Sequence, residues 1–243
     1  MERHHLVRLA GIAGALASAV YAVGDVLLLG REAEPERHPA VADLHRAQTP
    51  ALQLVPSSTG RLAAGALLGV YASPLHLAAV WHVYQGLAPA GPRRALPPAL
   101  ILAGAWTWAS FIHGTYLYTG RTYKDIEALA DDPRAREQLV ATAQTYERVT
   151  GAGYAPFGLA VVAASALIVD AVRRGETAYP RWSGPLVAPA VPIVAAVALT
   201  ATRVLPGRAR HALQGAGFSL GTLASIGAST VLLWRNRRAG TAR

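Results

Sequence analysis

Among the ionisable residues inside long apolar runs, where a lone charge is costly, Asp25 and His113 stand at a similar depth. An unpaired carboxylate in hydrocarbon costs upward of about 2.5 kcal/mol, and a neutral side chain would avoid that cost. Paired, the two would offset it and could act as acid and base, hold a cation or orient a ligand. His113 lies in the stretch "WTWASFIHGTYLYTG", and helical spacing sets Trp106, Ser110, His113, Tyr116 and Gly120 along one stripe. The stripe on the first apolar run, Gly14, Ser18 and Ala22, arrives at Asp25. Asp25 and His113 are the candidate acid and base, with Tyr116 beside them. Trp106, Ser110, Tyr154 and Gln214 are candidate ligand-orienting groups, and four segments bring Asp25, His113, Tyr154 and Gln214 to a similar depth. His76 is a further candidate, placed deeper, toward the other end of its segment. A second reading takes Asp25 as touching interfacial water, His113 and Tyr116 as belonging to an interfacial aromatic belt, and His76 as a core histidine bonded to a neighbouring helix.

The elements that must position these residues follow from the distribution of charge. The chain of 243 residues is 52% hydrophobic and 15% charged, against about 25% charged in soluble domains. Six nearly charge-free segments have the roughly 20-residue length of a membrane span: 6–30, 62–84, 96–118, 151–172, 185–204 and 212–234. All should be helices, because a span in lipid must satisfy its own backbone. The expected architecture is an all-α, polytopic bundle of six transmembrane helices forming one domain over 1–243. The basic start "MERHHLVR" and "ALASA" have the look of a signal peptide, but the apolar run continues to Leu29, so a retained span is expected.

Arginines in the short loops, among them Arg93, Arg94, Arg173, Arg174 and Arg181, place both termini on the cytoplasmic side; Arg203, Arg208 and Arg210 argue the other way. The long loops 31–61 and 121–150 then lie outside, the second reading either as two short surface helices broken at Pro133 or as a solvated loop. Gly217, Gly221, Ser225 and Ser229 recur every four residues, a small-residue face for close packing or for a second protein. Pro185, Pro189 and Pro192 should kink the fifth span.

The net charge of +9 does not mark a nucleic-acid partner, because the arginines flank apolar runs and gather on no single face. Near-exclusive use of arginine over lysine, with abundant Ala and Gly, fits a GC-rich bacterial genome. No HExxH, phosphate loop, nucleophile elbow or metal-ligand quartet is present, so no cofactor or metal is expected. The paired acids of "DDPRARE" read as a solvated loop. The expected partners are membrane lipids and a lipophilic small molecule.

"STGRLAAGALLGVYASPLHLAAVWHVYQGL", "FIHGTYLY" and "AYPRWSG" resemble an uncharacterised family of bacterial six-helix integral membrane proteins, a domain of unknown function. That resemblance implies the architecture and carries no activity. A fainter resemblance, to small integral-membrane terpenoid cyclases, implies a buried acid that protonates an isoprenoid; six spans instead of seven depart from that pattern. The expected function is a polar pocket within the membrane for a small or lipophilic ligand, with acid–base chemistry on lipid or isoprenoid. The alternative is a transporter or an accessory subunit.

Overall fold

The computed structural model describes residues 3–44, 49–202 and 206–240. The described residues form an all-α bundle. Its helices are α1 (Arg3–Leu29), α2 (Pro39–Ala42), α3 (Thr49–Leu54), α4 (Thr59–Leu87), α5 (Pro92–Ala128), α6 (Pro133–Arg173), α7 (Gly184–Val187), α8 (Ala190–Ala201), α9 (Gly207–Gln214) and α10 (Gly217–Gly240). Five are long and apolar enough to cross a membrane, or six if the bent pair around α7 and α8 counts as one span. Packing runs α6, α5, α4, α1, α10, α8, and α7 and α8 touch α6 to close the circuit. One end carries the 31–58 segment and the α5–α6 turn (the loop end below); the other carries the start of α1 and the end of α10.

The helix boundaries follow local chemistry. Ser58 caps α4 by accepting from the Arg61 N–H at 3.2 Å. Gly91 turns at φ +84°, a conformation that strains other residues, and Pro92 then opens α5. Asp132, one of the paired acids, caps α6 by accepting from Arg134 and Ala135 N–H, with Pro133 next. The carboxylate is thus occupied as a helix cap.

That cap corrects the expectation of two surface helices broken at Pro133. Proline begins a helix here and interrupts none. The α5 and α6 helices run on past the ends of the expected spans, over 37 and 41 residues. At about 1.5 Å per residue they reach roughly 55 and 60 Å, well beyond a hydrocarbon core of about 30 Å. Their extensions pair through Tyr123 with Glu147, and Thr150, at the span end of the α6 extension, donates to Thr115 of α5 at 3.0 Å. The short helices of the loop end are α2 and α3 instead. They close a second core of Leu28, Val41, Leu54, Leu62, Tyr123 and Ile126. Lys124 ties that segment down through the Val55 and Ser57 carbonyls at 3.1 and 3.0 Å. Arg61 reaches the open end of α1, donating to the Val26 and Leu27 carbonyls at 2.7 and 2.8 Å.

The proline-rich segment is bent by 53° between 181–187 and 190–201. Ala188, before Pro189, is pushed to extended backbone at ψ 119°. Two groups freed by the break find side chains: Ala190 N–H donates to Ser165 Oγ at 3.0 Å, and Ser225 Oγ donates to the Val187 carbonyl at 3.0 Å. Irregular backbone among apolar helices must be satisfied this way. Val204, the expected end of that span, lies outside the described residues, as does Arg203.

The last span also differs from expectation. The run 212–234 is divided, with α9 ending at Gln214 and α10 beginning at Gly217. Gly215, in the turn between them, sits where a Cβ would lie 2.5 Å from Leu29 Cβ. The four-residue face of α10 is an internal seam. A Cβ on Gly221 would stand 2.2 Å from Ile193 Cα, and one on Gly217 would stand 2.9 Å from Val197 Cα. Ser229 binds the hydroxyl of Tyr179 at 2.7 Å, and burial pushes that phenol above the ordinary tyrosine range. The face proposed for a second protein is therefore covered by the chain's own α7, α8 and Tyr179. Small residues also bring α1 against α4, Gly14 meeting Ala79 and Gly24 meeting Gly65.

The perimeter is apolar. Leu9, Leu16, Val23, Leu100, Leu159, Val162, Val194 and Val231 are all exposed. Exposed apolar side chains on so many helices of one bundle suit lipid.

Candidate functional site

The loop end of the bundle holds a cavity of about 110 Å³ bounded by α1, α5, α6 and α10. The Asp25 carboxylate is its polar centre. His113 Nε2 lies 3.1 Å from Asp25 Oδ1, and Ser219 Oγ donates to Oδ2 at 2.5 Å. The pair is withdrawn from the surface, the carboxylate side chain 14% and the imidazole 7% exposed. Around it stand six aromatic rings: Tyr21, Trp106, Tyr116, Tyr154, Phe157 and Phe218.

Each side chain is placed by a local feature of its helix. His113 fits because residue 69 is glycine: a Cβ there would lie 2.2 Å from His113 Nδ1. The Nδ1 edge is thus shut against α4, buried and without a hydrogen-bond partner. The arrangement fits the tautomer that carries its proton on Nε2 and donates it to Asp25. Tyr21, one turn before Asp25, bonds Ser73 at 2.5 Å, and Ser73 in turn donates to the Gly69 carbonyl at 3.0 Å. The Tyr21 ring meets His113 edge-on, with centroids 4.8 Å apart. Tyr116 and Tyr154 join hydroxyls across α5 and α6 at 2.8 Å.

Asp25, His113, Tyr116, Trp106 and Tyr154, expected from sequence, all line this one cavity. Three other candidates do not. His76 lies behind Trp106, stacked on it at 3.8 Å, as a core histidine whose Nε2 is bonded to Ser18 Oγ at 3.2 Å and whose buried Nδ1 has no hydrogen-bond partner. Ser110 is half-buried and faces a groove with Phe111 and Tyr118 on the outside of α5. At about 100° per residue it turns roughly 40° past Trp106, while Ala109, Ile112 and Tyr116 fall on the other side. Gln214 is exposed at the end of α9, because the chain breaks before α10 and the register assumed for a continuous helix is lost. Tyr21, Phe157, Phe218 and Ser219 complete the lining without having been singled out. Tyr21 was legible, since Ser18, Tyr21 and Asp25 share one helical stripe. Ser219 was not, because it lies opposite the small-residue face and any polar residue of α10 could have done as well.

The glycine that seats His113 gives a sharp test. Gly69→Ala touches neither ionisable residue, yet it should displace the imidazole and lower the melting temperature about as much as His113→Ala. Gly60→Ala, where nothing stands within 4 Å, should be neutral. A Gly69→Ala protein as stable as the parent would show that the imidazole is not held as described.

Fold and site together define a helical bundle of candidate membrane spans built around one carboxylate–imidazole cavity. The chain belongs to the family of unknown function DUF6796, whose family model matches residues 1–236. No curated protein and no solved structure gives a match.

Proposed function

We propose that the chain is a polytopic protein of the bacterial cytoplasmic membrane whose loop-end cavity binds a small lipophilic ligand, with Asp25 as the group that exchanges charge or a proton with it. The observation that carries this reading is a nearly buried carboxylate in a cavity lined by six aromatic rings and a few small or aliphatic residues. A carboxylate in such a place is costly, and a structural role alone would be served by an apolar residue. His113 acts on the ligand through Asp25, since its Nε2 faces the carboxylate and its Nδ1 faces Gly69. Tyr116 and Tyr154 orient the ligand from the loop side. Acid–base chemistry on a lipid or isoprenoid fits the same geometry.

The groups also speak for a pocket over a transport track. The Asp25 cluster and the Ser18–His76 pair are separate hydrogen-bonded groups among the described residues, divided by the ring of Tyr21. To test the reading, the protein would be isolated with its native lipids and its bound small molecules extracted and compared with those of Asp25→Asn. A compound enriched with the parent and at least tenfold depleted from the variant is expected. Identical extracts would refute the reading.

The orientation with both termini cytoplasmic is supported by the basic residues of the terminal end, including Arg94, which pairs with Glu176, and Arg8, which lies 4.7 Å over the Trp234 ring. At the loop end Arg61 is engaged as a helix cap. In this cysteine-free chain, Ala40→Cys and Ala130→Cys should react with an impermeant thiol reagent in intact cells, and Pro92→Cys should not. The reverse pattern would invert the assignment.

A further inference from the structure

A second chamber adjoins the first. It measures about 200 Å³ and is lined by Leu54, Thr115, Thr119, Tyr123, Glu147 and Thr150, among others. Tyr116 and Tyr154 line both chambers, so their joined hydroxyls form the partition. Together the two reach the size of small-ligand pockets, roughly 300 Å³ upward.

The charge of this double chamber is one-sided. The deep half holds the Asp25 carboxylate, the other holds Glu147, engaged by the Tyr123 hydroxyl, and among the described residues no lysine or arginine lines either. Asp25 has two hydrogen-bond partners, His113 Nε2 and the Ser219 hydroxyl. An ionised carboxylate offers about four lone-pair sites, so two of them remain for a guest. The walls add to the same preference, because aromatic faces attract a cation by their quadrupole, more strongly when desolvated. An anion would meet a carboxylate and an aromatic lining, with no lysine or arginine among the described lining residues to offset them.

We propose that the ligand of this site is an organic cation, an amine or quaternary ammonium on an apolar body, held by Asp25 within the aromatic wall and reached past Tyr116 and Tyr154 from the second chamber. This rests on the reading of the cavity as a binding site and names the chemical class it takes.

The absence of native cysteine allows a direct test in the full chain, in lipid nanodiscs. Ala109 lines the deep chamber, and Ala109→Cys would be treated with three methanethiosulfonates: the trimethylammonium-ethyl cation, the sulfonatoethyl anion and the neutral methyl compound. Rates would be referred to Asp131→Cys, exposed in the α5–α6 turn. The cation-to-anion rate ratio at position 109 should exceed the reference ratio at least tenfold. Adding Asp25→Asn should abolish that excess and leave the neutral rate unchanged. Ile112→Cys, which lines the same chamber, repeats the reading should the first variant misfold. A ratio equal to the reference, or one favouring the anion, overturns the cation proposal and leaves the pocket standing. Failure of the neutral reagent to reach either cysteine overturns the pocket and the proposal together.

Discussion

Gly221→Leu should prevent the bundle from assembling. The atoms a side chain would strike are backbone: Ile193 Cα at 2.2 Å, Ile193 N at 2.5 Å and the Pro192 carbonyl oxygen at 2.6 Å. No rotamer change can clear them, so α8 and α10 must part. That separation would also strand the groups satisfied across the seam, including the Val187 carbonyl that accepts from Ser225. Overpacking usually costs about 1–3 kcal/mol when side chains can adjust; where only backbone can move, about 3 kcal/mol or more is expected. Leu223→Ala, half-buried and off this face, should cost about 1 kcal/mol, in the range of ordinary single substitutions. Thermal unfolding in detergent separates the two, and equal melting temperatures would refute the seam.

The second large effect concerns the ionisable pair. Asp25→Asn and His113→Ala should each remove the enrichment of any bound small molecule, since one deletes the carboxylate and the other releases it. Leaving one partner of a buried hydrogen bond unsatisfied costs about 1–3 kcal/mol, more for a charged group, and here Asp25 keeps Ser219 and some exposure. The double variant should lose less than the sum of the singles, with a coupling of about 0.5–3 kcal/mol for residues in contact. Trp108→Leu should spare binding, because Trp108 is 46% exposed and lines none of the deep chamber. Additive losses at Asp25 and His113, or loss of binding in Trp108→Leu, would contradict the account.

Much of this was legible in the chain before its structure. The long apolar helices could be located because charge visibly interrupts apolar length, and five of them, or six with the bent pair, are long enough to cross a membrane. The meeting of α1 and α5 at Asp25 and His113 followed from shared depth and the cost of leaving either alone. The kink at Pro189 followed from proline's missing donor.

What escaped depended on register across a break. Gln214 was counted into a continuous helix that ends beside it, and Ser219, four residues beyond Gly215, took the place expected of it. Ser110 sat at the edge of a stripe whose boundary is set by what packs against it, and α6 and the cavity fix that boundary, not α5 itself. The long α5 and α6 extensions were misread because Pro133 looks the same in sequence whether it breaks a helix or starts one; the Asp132 cap decides.

The account turns on whether the carboxylate–imidazole cavity is a ligand site. An experimental structure of the protein isolated with its native lipids, at a resolution that shows bound molecules, tests this most directly. The expected result is non-protein density within hydrogen-bonding distance of Asp25, bounded by Tyr116, Phe157 and Phe218, with the His113 imidazole still on the carboxylate. Asp25 and His113 turned apart, or facing lipid, would contradict it and leave the histidine and its aromatic neighbours as interfacial anchors.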